Sequence, residues 1–135
     1  MNTLELPDGL SDLVLKTAAD HSFHAITITR AAREDQPGEI IYVNDAFTDL
    51  TGYAAEEVIG ETPGVLQGPK TEQEVLDRLG RKLKAGEVFH GKTVNYRKNG
   101  ADFLMEWKVA PVDQEGGATY YVAVQREAPM SPEET

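Results

Sequence analysis

Few side chains in this sequence have the types and spacing for chemistry, and most of those read as solvated surface. His21 and His24 stand three residues apart and could share a metal ion, but no third ligand accompanies them. His90 falls in a strand-like stretch and reads as a surface or half-buried residue. The acid pairs Glu56 with Glu57 and Asp113 with Glu115 are of the type used for general acid and base work. They fall on a helix-like stretch and in a turn, where charge is ordinarily solvated. No glycine-rich loop is followed by Lys and Ser or Thr, so a phosphate-cradling nucleotide site is not supported. The absence of cysteine removes disulfides, thiolate metal ligands and thiol nucleophiles together.

The chain that must position any site is short and acidic. Its 135 residues suffice for one hydrophobic core and not for two. A net charge of −10, with no basic cluster larger than Arg81, Lys82 and Lys84, repels a phosphate backbone, so direct nucleic-acid binding is not expected. The longest apolar runs, such as residues 39–43, are strand-sized and far from a membrane helix. No basic, apolar, small-residue leader opens the chain, which favours a cytoplasmic address.

Apolar residues at helical spacing predict an amphipathic helix over residues 10–20, whose stripe of Leu10, Leu13, Val14 and Thr17 could cover the domain or pair with a second copy. Alternation predicts strands at 25–29 and 40–43, joined as a hairpin through the polar stretch 33–38. Residues 44–52 predict a short helix with Asn44 or Asp45 as its cap and Gly52 at its left-handed end. Another turn or two follows at 54–59, then an irregular loop at 61–69. Thr71 and Glu74 form a capping-box pattern before a helix with a buried stripe of Val75, Leu76, Leu79 and Leu83, ended by Gly86. Strands at 89–97 and 103–112 flank Asn99-Gly100, which favours a type I′ turn. A turn at 113–118 and a last strand at 119–126 precede an acidic tail. The order predicts an α+β fold built on one antiparallel sheet.

These stretches resemble a PAS domain over residues 18–126. Ile41-Tyr42-Val43-Asn44-Asp45-Ala46-Phe47, with Leu50-Thr51-Gly52-Tyr53 and Glu56-Glu57-Val58-Ile59-Gly60, is similar to the family's second strand and first helices. Leu66-Gln67-Gly68-Pro69, Asn95-Tyr96-Arg97-Lys98-Asn99-Gly100 and Val122-Ala123-Val124-Gln125-Arg126 resemble its light-oxygen-voltage (LOV) branch. The resemblance implies a five-stranded antiparallel sheet in the order 2-1-5-4-3, with short helices over one face around a ligand pocket and a flanking N-terminal helix. It implies an N-terminal extension at 1–20, a core at 21–127 and a disordered acidic tail at 128–135.

The LOV branch implies a flavin (FMN or FAD) held by Gln67, Asn95 and Gln125, whose carboxamides each offer a donor and an acceptor to the ring edge. Thr62 stands where the family has a flavin-contacting asparagine, Pro63 where it has the reactive cysteine, and Met105 where it has a second asparagine. Gly64 and Gly80 stand where it has phosphate-pairing arginines, although Arg78 and Arg81 are near. Without a cysteine thiol no adduct to the flavin forms. Met105 and Trp107 share one strand face, as do Tyr121, Ala123 and Gln125, giving a bulkier, more apolar pocket. Asn95 and Gln125 could equally bond each other or the backbone with no cofactor bound, and Trp107 and Met105 could serve as core filler. With a flavin present, Trp107, Tyr96 or Tyr121 could donate electrons to it.

The reading that follows is a non-catalytic sensory module, transmitting a ligand, redox or light signal through rearrangement of a homodimer or of its flanking helix. Its partner would be a signalling protein met in trans, unless the chain is a piece of a longer sensor. The alternative is a cysteine-less LOV photoreceptor that signals by flavin photoreduction, with Gln125 turning when the ring is protonated. A small flavin-dependent enzyme is a third reading for which no substrate-activating constellation is evident. No metal, nucleic acid or membrane is expected.

Overall fold

The first strand sets the sheet, and it does so with its polar face inward. In β1, Ala25–Arg30, the threonines Thr27 and Thr29 are buried while Ile26 and Ile28 are only half-buried on the opposite face. This computed structural model describes residues 10–32, 38–113 and 119–129. The expected opening before residue 10, most of the 33–38 connection, the turn after Asp113 and the end of the acidic tail lie outside them. The strands β2 (Glu39–Val43), β3 (Phe89–Tyr96), β4 (Asp102–Asp113) and β5 (Thr119–Glu127) complete one antiparallel sheet in the order β2-β1-β5-β4-β3. This is the expected topology.

A bulge in β2 lets Ile40 and Val43 both face the core despite their odd spacing. Thr29 is opposite Ile40 and Ile28 opposite Tyr42, which leaves Ile41 as the extra, exposed residue. The outer side of β2 is closed by the next connection, with Gly60 N donating to Ile40 O at 2.8 Å and Ile40 N donating to Glu61 O at 2.9 Å. That pairing blunts a sheet edge.

Helices α2 (Asp45–Thr51), α3 (Ala55–Val58) and α4 (Gln73–Lys84) cover the inner face, and Phe47, Val58, Phe89, Phe103 and Trp107 form the core between the layers. As expected, Asn44 caps α2 and Gly52 (φ 81°) ends it in the left-handed region. Gly86 closes α4 in a Schellman arrangement, its N–H reaching Leu83 O at 3.0 Å while Glu87 N reaches Lys82 O at 2.9 Å.

Local expectations fail in four places, three of them through a contact distant in sequence. The capping box at α4 does not form: Thr71 Oγ1 instead donates to Val94 O at 2.6 Å, and Glu72 N finds Thr93 Oγ1 at 2.9 Å. Strand β3 has taken over the cap. The Asn99-Gly100 turn is not type I′, since Gly100 has positive φ and Asn99 does not. A three-residue loop with Gly100 at φ 90° forms in its place, and Lys98 N donates to Thr51 O at 2.8 Å, satisfying a carbonyl at the end of α2. The expected irregular loop 61–69 contains a 3-10 helix, Pro63–Leu66, because proline at its first position presets φ. Ala128, expected to begin a solvated tail, is buried and donates to Leu104 O at 2.8 Å.

Candidate ligand cavity

A partly open cavity of about 120 Å³ lies between the inner face of the sheet and the covering helices. Its roof is the stripe Leu76, Leu79 and Leu83 of α4 together with Pro63 and Leu66 of the 3-10 helix. These leucines recur at helical spacing, so a single face of α4 supplies them. The floor carries Trp107 and Met105 of β4, with Tyr121 and Ala123 of β5 beside them.

Trp107 narrows the space. Its ring packs at 4.9 Å from that of Phe89, tilted by 55°, and the Arg78 guanidinium lies 4.8 Å from the Phe89 centroid on the other side. Arg78 also donates to His90 O at 2.9 Å, which ties α4 to β3. Opposite, the Tyr96 ring lies so close to Gly68 that a Cβ there would stand 2.3 Å from it, and the Tyr96 hydroxyl accepts from Lys70 N at 2.9 Å. Only glycine admits that contact, which seats the 66–70 segment beside Asn95.

Three carboxamides reach the cavity. Gln125, 7% exposed, accepts from the Thr27 hydroxyl at 2.8 Å. Asn95, 4% exposed, donates its amide to Met105 Sδ at 3.5 Å, a weak acceptor for so buried a group. Gln67 closes the third side and is exposed at its outer end. Of the six residues expected to face a cofactor, Gln67, Asn95, Met105, Trp107 and Gln125 line this cavity and Thr62 does not. Pro63 turns the chain there, so Thr62 stands exposed at the start of the 3-10 helix with no side-chain cap bond. Asn95 and Gln125 do not bond each other.

Sequence reasoning passed over Thr27, Thr29 and Asn44. The signal for the threonines was present, since a strand that buries threonine and exposes isoleucine is lining something polar. Asn44 was read only as a helix cap. In the structure it also accepts from Ile26 N at 2.9 Å and donates to Ala19 O at 2.7 Å and His24 O at 3.1 Å. It therefore joins three elements: β1, α2 and the helix α1, Leu10–Asp20. A second tether runs from the Tyr42 hydroxyl to Asp20 at 2.6 Å. Hydrogen bonds from Lys16 and Tyr42 hold the Asp20 carboxyl below the usual carboxylate range, while burial and Asp20 push the Tyr42 phenol up to about 12.

The other candidates lie elsewhere. His90 is exposed on the outer face and pairs with Glu106 at 2.7 Å, which Arg126 also contacts at 2.7 Å. Arg126 first, then His90, lowers the Glu106 pKa. Glu57 serves a structural role, accepting from Ala54 N at 2.9 Å and pairing with Lys98. Among the described residues no three His, Asp or Glu side chains gather as a metal set, and no helix is long and apolar enough to cross a membrane.

The profile of one family, described as PAS domain, matches residues 26–127. The chain is 35% identical over 127 residues to a bacterioopsin transcriptional activator of Halobacterium salinarum, covering 86% of this chain and 18% of that protein. It is 32% identical over 116 residues to a blue-light photoreceptor of Listeria monocytogenes, covering 86% of this chain and 45% of that one. The chain thus spans less than half the length of either. Among solved structures it is similar to an RNA-binding light-oxygen-voltage receptor, with a TM-score of 0.77, 30% identity and coverage of 93% of this chain and 37% of that one. It is also similar to a LOV domain studied with a flavin analogue, with a TM-score of 0.74, 29% identity and coverage of 90% and 87%.

Proposed function

Because this chain belongs to the PAS domain family, with relatives and structural neighbours in its light-oxygen-voltage branch, we propose that it is a non-catalytic sensory module whose cavity occupant is read at α1. One observation carries this reading: a route of hydrogen bonds runs from the cavity to the end of α1. Gln125 holds Thr27, the neighbouring Ile26 N–H is held by Asn44, and Asn44 holds Ala19 O. A ligand that competes for Gln125 releases Thr27 and shifts β1. The lining contains no paired nucleophile and base, which argues against an enzyme.

Helix α1 suits the output. It has no buried residue, and Leu10, Leu13 and Val14 of its apolar stripe are 36%, 62% and 41% exposed. We assign this stripe to a second copy of the chain, giving a homodimer that hands the change to a signalling protein. The net charge of −10 argues against nucleic acid as that partner, and a cytoplasmic address accords with the same reading.

A second reading, a cysteine-less LOV flavoprotein, is favoured by Gln67, Asn95 and Gln125 around one cavity. Buried carboxamides held by a hydroxyl and a thioether suit the donor and acceptor edge of an isoalloxazine ring. A flavin, when bound, would supply light-driven reduction, and no thiol is present to form an adduct. Mass spectrometry of whatever co-purifies, with absorbance before and after blue illumination, separates the readings. A flavin band that bleaches without an adduct signature supports the second, a different small molecule supports the first alone, and a protein that takes up no small molecule refutes both. Light scattering tests the dimer: Leu13→Asp should give monomer, and an unchanged dimer would remove α1 from that role.

A further inference from the structure

Among the described residues the cavity wall carries no formal charge. Each of those lining it is apolar, aromatic, a hydroxyl or a carboxamide. The cations on the segments that form the roof are turned to other work or to water. Arg78 is held by His90 O and the Phe89 ring, Lys70 pairs with Asp102 at 2.9 Å, Lys82 lies 3.9 Å from Glu87, and Arg81 and Lys84 are exposed. An anion entering such a cavity would give up its hydration with no opposite charge to meet it, and would first have to approach a chain of net charge −10.

Resting on the reading that this cavity holds a ligand, we infer that the ligand is uncharged: a flat, phosphate-free ring with a donor and acceptor edge, of the riboflavin or lumichrome kind and not a flavin nucleotide. Gln67, Asn95 and Gln125 meet the polar edge, and the leucine stripe, Met105 and Trp107 meet the faces. The structure also locates where a charge could be added. Gly80 lies one turn beyond Leu76, which lines the cavity, and a Cβ there meets nothing within 4 Å, so an arginine is sterically free at that position. At Gly64, between Pro63 and Leu66, a Cβ has only ordinary contacts, the nearest 3.7 Å from Thr62 Oγ1.

The test is calorimetric titration of the ligand-free full chain with riboflavin and with FMN, repeated with 1-naphthol and 1-naphthyl phosphate. Riboflavin should bind at least about tenfold tighter than FMN, with the gap narrowing at high salt as the negative field is screened. Gly80→Arg should tighten FMN by about tenfold and leave riboflavin unchanged. FMN binding as tightly as riboflavin would overturn the inference while leaving the flavin reading intact. If neither flavin binds but naphthol is preferred to its phosphate, the flavin reading falls and the inference stands. If no probe binds, or if the flavins bind and Gly80→Arg moves neither, the inference is wrong.

Discussion

Replacing Asn44 with alanine should cost more than the loss of a helix cap. The side chain is 3% exposed and makes four hydrogen bonds, to Ile26 N, Phe47 N, Ala19 O and His24 O. Phe47 N keeps a second acceptor in Asn44 O at 3.1 Å, so the cap itself is worth about 1 kcal/mol. Ile26 N has no such alternative, and leaving it unpaired costs about 1–3 kcal/mol. The two carbonyls sit near the surface, where water replaces the lost donor. The sum is about 2–4 kcal/mol, or a Tm lowered by roughly 8–15 °C for a domain of this size. Thermal melts followed by circular dichroism measure it, and hydrogen exchange of residues 10–20 should quicken in the same variant. A melt within about 2 °C of the parent, with α1 exchange unchanged, would show that Asn44 does not carry the junction.

Three further outcomes follow. Gln125→Leu leaves the buried Thr27 hydroxyl without its acceptor, so urea unfolding should show a loss of about 1–3 kcal/mol, which Thr27→Val in the same chain should largely restore. Gly68→Ala drives a methyl into the Tyr96 ring and should cost about 1–3 kcal/mol, an effect that Tyr96→Ala added to it should reduce. The α1 tether is pH-dependent at both ends: the depressed Asp20 contributes above the ordinary carboxylate value and is lost as pH falls through its lowered pKa. Tyr42, raised to about 12, contributes fully below the ordinary phenol value and is lost as pH rises through about 12. Protection of the α1 amides, taken relative to the intrinsic exchange rate at each pH, should therefore be greatest near neutral pH and fall at both extremes.

Helix and strand positions were legible in the sequence because local pattern decides them, and the strand order and the carboxamides of the cavity wall because the resemblance to the PAS family implies them. Met105 with Trp107, and Tyr121 with Ala123 and Gln125, share faces simply because strands have a period of two. What could not be read was set by partners distant in the chain. Thr71 has the residue type and spacing of a cap, but the carbonyl of Val94 competes for its hydroxyl. Asn99-Gly100 favours one turn, and the end of α2, some fifty residues earlier, imposes another. Thr62, which holds the place of a family asparagine in sequence, lies outside the cavity lining, and here the cause is local: Pro63 fixes the backbone beside it. The inverted burial of β1 was the neglected clue: Thr27 and Thr29 turn inward and bring hydroxyls to the cavity, while Ile26 and Ile28 stay half-buried on the opposite face.

Hydrogen exchange at residues 10–20, measured in the dark with and without saturating riboflavin, tests the link between cavity and helix most directly. The wild-type chain should change its α1 exchange on binding, and Gln125→Leu should bind with no such change. Riboflavin bound in the cavity with α1 unaffected in the wild type would contradict the proposed route through Thr27, Ile26 and Asn44.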